Sequence, residues 1–121
     1  MKYAILIYGD ESGFADAPQE AIDASMAEWW NYEGELQKAG VKLAGEALQP
    51  TGTGKSIRVE GGKASVTDGP FAETKEQLGG FYLLDVKDEN EAMEWATKCP
   101  GAKTGTIEIR PVQVFEPPEG S

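Results

Sequence analysis

The stretch Val66-Thr67-Asp68-Gly69-Pro70-Phe71-Ala72-Glu73-Thr74-Lys75-Glu76 sets four charged side chains, a tight turn and an aromatic within eleven residues. Asp68 reads two ways. Its carboxylate can accept the turn's backbone N–H groups, making it a turn-maker. It can also stand at a cleft as a general base or a ligand-binding carboxylate. Gly69 permits positive φ and Pro70 fixes the next backbone angle. Phe71 is expected to pin the loop to the core. On a short helical turn over 74–78, Glu73 and Glu76 would share a face with Lys75 apart. Either they are a solvated surface with weak ion pairs, or one carboxylate joins Asp68. A close carboxylate pair raises one pKa and yields an acid and a base.

Two further charges fall where chemistry is possible. Glu33 lies beside Met26 and Trp29 on an apolar helical stripe, where a carboxylate is either paired or functional. Arg110 and Arg58 are the expected partners. Arg110 shares one strand face with Glu108 at the two-residue period, and its guanidinium could clamp an anionic or carbonyl-bearing ligand. The candidate catalytic residues are therefore Asp68 and Glu33. The candidate ligand-binding residues are Gly69, Pro70, Phe71, Glu73, Lys75, Glu76, Tyr82 and Arg110.

The chain has no histidine and one cysteine, Cys99. Histidine-dependent triads and the commonest neutral-pH base are excluded. So are an intrachain disulfide and a cysteine-pair zinc site. No metal and no cofactor is expected. Cys99 falls on a predicted buried face and should be inert. Gly52-Thr53-Gly54-Lys55-Ser56 lacks the first half of a phosphate loop and precedes a strand, so it is discounted.

The 121 residues suffice for one hydrophobic core, and a net charge of −10 disfavours direct binding to nucleic acid or an anionic membrane. No apolar run is long enough to span a bilayer. The N-terminal apolar segment is too short for a signal peptide and runs into Gly9-Asp10-Glu11, so a cytoplasmic location is expected.

These residues need elements to position them. Met1 to Tyr8 reads as a strand apolar on both faces, hence central and covered twice. A helix follows from about Pro18 to Ala39, opened by an Asp16–Gln19 capping box or by Pro18, with Ile22, Met26, Trp29, Tyr32 and Leu36 on one stripe. Val41 to Leu48 returns as a strand. Residues 55–60 and 63–67 flank Gly61-Gly62, a hairpin signal. Gly80 to Val86 is a strand. Asp88 and Glu91 cap a second helix whose stripe is Ala92, Trp95, Ala96 and Cys99. Thr106 to Phe115 is the last strand, and 117–121 a short flexible tail after a single domain at 1–116. The order is an α+β, ferredoxin-like βαββαβ sandwich with an inserted β-hairpin. The first strand's second apolar face still needs a cover. A partner's sheet would supply it, giving a homodimeric α/β barrel.

Asp68-Gly69-Pro70-Phe71, Ala72-Glu73-Thr74-Lys75-Glu76 and Gly79-Gly80-Phe81-Tyr82 together resemble the signature of the DGPF branch of the YCII-related family. The resemblance extends through the opening strand, Gly40-Val41 and Ile107-Glu108-Ile109-Arg110-Pro111. It implies the same dimeric assembly. Some members of the wider family are thought to act through a His–Asp pair, of which only Asp68 could carry over here. The branch also resembles domains found with extracytoplasmic-function sigma factors, which implies a regulatory setting.

Three functions fit these residues. The first is binding or sensing of a small polar metabolite in a cleft near the 68–76 loop. The second is a cofactor-independent isomerase, lyase or hydrolase with Asp68 as base, a tyrosine or Glu33 as acid and Arg110 as anion clamp. The third is a protein-interaction module linked to transcription regulation.

Overall fold

The computed structural model describes residues 1–14, 16–72 and 74–118. The strands are β1 (Lys2–Gly9), β2 (Lys42–Ala47), β3 (Lys55–Glu60), β4 (Lys63–Asp68), β5 (Gln77–Asp85) and β6 (Thr106–Pro111). The helices are α1 (Gln19–Ala39) and α2 (Glu89–Lys98). β2, β5, β1 and β6 form an antiparallel sheet in that order, and β3 pairs with β4 in a separate ribbon. The architecture is α+β, compatible with the ferredoxin-like arrangement.

Alternation along the strands divides the four-stranded sheet into two unlike faces. Tyr3, Ile5, Tyr82 and Leu84 point to one face, where Tyr32 and Leu36 of α1, Ala92 and Trp95 of α2 and Cys99 just after it bury them. Tyr32 is the hub. Its ring meets Trp29, Tyr82 and Trp95 edge-on at 6.3, 5.7 and 6.1 Å, and its hydroxyl donates to the Trp95 carbonyl at 2.8 Å. Edge-to-face packing suits the ring quadrupoles, and the hydrogen bond satisfies an otherwise stranded phenol.

Several boundaries depart from the sequence reading, each for a local reason. The Asp16–Gln19 capping box does not form. Pro18 takes the N-cap position with no side-chain cap, and Gln19 donates to Asp23 at 2.9 Å instead. The helical turn expected over 74–78 is absent, because Gln77 and Leu78 already pair with Gly9 and Tyr8 of β1. β6 ends at Pro111 rather than Phe115: Val112 donates once to the Lys2 carbonyl, where β1 itself begins. Asp88 caps the second helix as expected, accepting from the Glu91 N–H at 2.9 Å, but the Glu91 carboxylate accepts from the Lys87 N–H at 2.8 Å, one residue before the cap position that a reciprocal box would use.

The ribbon also follows the sequence. Gly61 and Gly62 have φ of 57° and 80°, as a type I′ hairpin turn requires of both central residues. Among the described elements, its extensive packing is strand on strand alone. No helix among the described residues is long and apolar enough to cross a membrane.

Candidate functional site

The predicted site residues separate into three places. The first lies on the helix side of the sheet. Glu33 of α1 accepts a hydrogen bond from the Tyr82 hydroxyl at 2.9 Å and pairs with the Lys42 ammonium. The Glu33 side chain is only 17% exposed. Its partner is thus Lys42, not Arg110 or Arg58. Arg110 sits on the opposite face of the sheet, and Arg58 on the ribbon. Burial pushes the Glu33 carboxyl up, but the hydrogen bonds from Lys42 and Tyr82 and the lysine's charge outweigh it, and the net shift is down. Burial, with Glu33 as acceptor, pushes the Tyr82 phenol well above its ordinary value. The pair is held as carboxylate and neutral phenol. Gly45 makes room for it: a Cβ there would lie 2.5 Å from the Tyr82 ring. A glycine inside a strand signals such close approach, so Lys42 and Gly45 could have marked this cluster from sequence.

The second place is the face that neither helix covers. Register sets Leu6 between Phe81 and Glu108, and Ala4 between Leu83 and Arg110. Ala4, Leu6, Tyr8, Phe81 and Leu83 are only half-buried there. Arg110 donates through Nε and Nη2 to one Glu108 oxygen at 3.0 and 2.6 Å, and Tyr8 donates to the other at 3.3 Å. The Arg110 hydrogen bond, with its charge and the Tyr8 hydrogen bond, holds the Glu108 carboxyl below its usual range against slight burial. Two of the five guanidinium donors are used this way, which leaves others for a ligand. Thr106, opposite Tyr8, donates to both oxygens of Glu76 at 3.1 and 2.8 Å. Glu76 thereby brings the end of the 68–76 loop to this face. Tyr8, at the end of a strand expected to be covered on both faces, is instead a polar candidate of this site that the sequence reading did not single out. Only its pairing opposite Thr106 and its reach to Glu108 reveal it.

The third place is the start of the loop. Asp68 ends β4 opposite Lys55 and pairs with it at 2.5 Å, with the carboxylate 84% exposed. The turn's N–H does not need it, since Gly69 donates to the Gly54 carbonyl at 2.8 Å and Ser56 donates to the Gly69 carbonyl at 2.7 Å. Gly69 has φ 85° and is buried at the base of the ribbon. Pro70 is exposed. Phe71 does not anchor the loop: it is 82% exposed. The start of the loop is tied by backbone to the ribbon, and the phenyl ring meets no core. Lys75 is near enough to Asp10 to add to the two Ser12 hydrogen bonds that hold that carboxyl down. Glu73 lies outside the described residues. Among the described residues, no three His, Cys, Asp or Glu side chains gather to hold a metal ion.

A model of the YCII-related domain matches residues 1–116, nearly the whole chain. The chain belongs to the YCII-related domain family. A second comparison agrees with that membership. An uncharacterized protein of Rhizobium meliloti (strain 1021) is 37% identical over 121 residues, covering 98% of each chain. Within this YCII-related fold, Asp68, Glu33 and Arg110 occupy three separate environments in a single copy.

Proposed function

We propose that this YCII-related chain is a cytoplasmic homodimer that binds or senses a small polar metabolite on the open face of its four-stranded sheet. The observation that carries the reading is the Tyr8–Glu108–Arg110 group. It sits on a half-buried apolar floor of Leu6, Phe81 and Leu83 that neither helix covers. A few convergent polar groups on apolar ground are what a small-ligand site needs. A soluble domain also keeps few broad apolar faces open without a partner, which favours a second copy over this face in the manner of a dimeric α/β barrel. Glu76, bonded to Thr106, is the point where the loop after Asp68 would meet the ligand.

The guanidinium of Arg110 favours a ligand with a carboxylate or carbonyl, held by its planar fork. Binding is favoured over turnover. Both Glu33 and Glu108 are shifted away from neutrality, whereas an effective general base is tuned toward it.

The test is a thermal-shift screen with small mono- and dicarboxylates and neutral amides, run on the wild type, Arg110→Gln and the distant control Lys103→Gln. A ligand that binds only the folded state must raise its stability. Stabilisation by carboxylates that disappears in Arg110→Gln alone is the expected result. Equal stabilisation in all three proteins would remove the ligand from this face.

A further inference from the structure

The β3–β4 ribbon has a face that the described residues of its own chain leave bare. Pairing sets Ile57 opposite Val66 and Val59 opposite Ala64. These four residues share one side, and Ser56, Arg58, Glu60, Lys63, Ser65 and Thr67 share the other. Ile57, Val59 and Val66 are 64, 67 and 58% exposed. An isolated two-stranded ribbon is marginal in water, and strict alternation of apolar and polar residues is the pattern of a strand pair with one side covered. The uncovered side is therefore not an ordinary solvent face.

The charge of the whole ribbon says what would draw it, although the excess sits in Arg58 and Lys63 on the polar side while Lys55 and Asp68 cancel on the apolar side. Residues 55–68 carry three basic and two acidic side chains, whereas the rest of the chain carries eight basic and nineteen acidic. The ribbon is a weakly positive arm on a strongly negative body. That asymmetry repels body from body between two copies but draws the arm of each toward the body of the other. The open sheet face offers a surface for it, with Leu6, Phe81 and Leu83 as floor, Glu46 and Glu76 at its edges and Glu108 already paired with Arg110.

We propose that the ribbon is an exchange arm whose apolar side docks on a second copy of this chain at the rim of its open sheet face. Lys55 and Asp68 lie at the base of that same side. Docking thus carries the Asp68 carboxylate of one copy toward the Arg110 group of the other, and the ligand site is incomplete in a single copy. This rests on the second-copy reading above and specifies which segment makes the closure.

The experiment measures solution mass at micromolar concentration for the wild type, for Val59→Asp/Val66→Asp on the apolar side and for Ser65→Asp/Thr67→Asp on the polar side. Thermal unfolding confirms that each is folded. The expected result is a dimeric wild type and a dimeric polar-side variant, with an apolar-side variant that dimerises on the order of 100-fold more weakly. A dimer in all three overturns the arm but leaves the covered sheet face standing. A monomeric wild type overturns both, whatever else the ribbon then binds. Should the apolar-side variant fail to fold, zero-length carbodiimide coupling of a mixed light- and heavy-nitrogen wild-type sample decides. Mixed-isotope peptides joining Lys55 or Lys63 to Glu46, Glu76 or Glu108 support the arm, and same-isotope peptides alone overturn it.

Discussion

The two sheets of this chain obey the same period-two rule and end in opposite circumstances. In the four-stranded sheet, Ile5 and Leu84 are fully buried beneath two helices. In the ribbon, Ile57 and Val66 face each other with comparable regularity and remain mostly exposed. Alternation therefore marks a side that wants cover without saying whether the same chain provides it. The charged groups divide along the same line. Glu33 is half-sheltered and has two hydrogen-bond donors, whereas Asp68 meets one exposed lysine. The first sheet makes the fold, whereas the ribbon packs extensively only within itself.

The largest expected effect is in the core. Leu84→Ala should lower unfolding free energy by about 2–5 kcal/mol, because the vacated volume cannot collapse fully. Val59→Ala, measured by the same urea titration in a single copy, should change it by about 0.5 kcal/mol or less. A comparable loss for Val59→Ala would break the comparison within one chain. A loss that depends on protein concentration would instead locate the cover in a second copy.

Gly45→Val should come next, at about 1–3 kcal/mol, because the new side chain must displace the Tyr82 ring. Tyr82→Phe in the same background should recover little of that loss, since the clash is with the ring and not with the hydroxyl.

Glu33→Gln should cost about 1–3 kcal/mol near neutral pH by disturbing the contacts to Lys42 and Tyr82. The sign of its pH dependence follows from the downward shift. The folded carboxyl titrates below its ordinary 4.5. Its contribution is present above that value and fades as pH falls through the folded pKa, so wild type and Glu33→Gln should converge in acid. The upward shift of Tyr82 predicts the alkaline counterpart. Above about pH 10 an unfolded tyrosine ionises while the buried one resists, so wild type should lose stability more steeply than Tyr82→Phe.

Asp68→Asn should be the smallest change. An exposed pair with Lys55 is screened by water, and the turn is held by backbone, so the melting temperature should not move measurably. A clear drop in melting temperature would mean that the ribbon's base is tied down more firmly than its exposure implies.

Much of the fold could be read directly. The Gly61-Gly62 turn, the Asp88–Glu91 cap and the Tyr32–Leu36 and Ala92–Trp95–Cys99 stripes are short-range signals, fixed by residues within a few positions of one another. The site was less legible. Glu33 was marked by a carboxylate on an apolar stripe, but its partners come from two other elements, Lys42 at 9 and Tyr82 at 49 residues' separation. The exposure of Phe71 is not legible because nothing local reveals that its end of the loop is fastened to the separate two-stranded ribbon.

The sequence by itself determined the order of strands and helices, the two-sided character of the first strand, the net negative charge and the exclusion of histidine chemistry. All of these follow from composition or from periodicity along the chain. Only the tertiary structure decided that Glu33 and Tyr82 sit back to back with Arg110 across one sheet, that Tyr8 joins Glu108, and that Asp68 stands apart from both. The reason is strand register: which of two faces a side chain occupies is set by pairing between segments far apart in sequence, and a shift of one residue would exchange the faces.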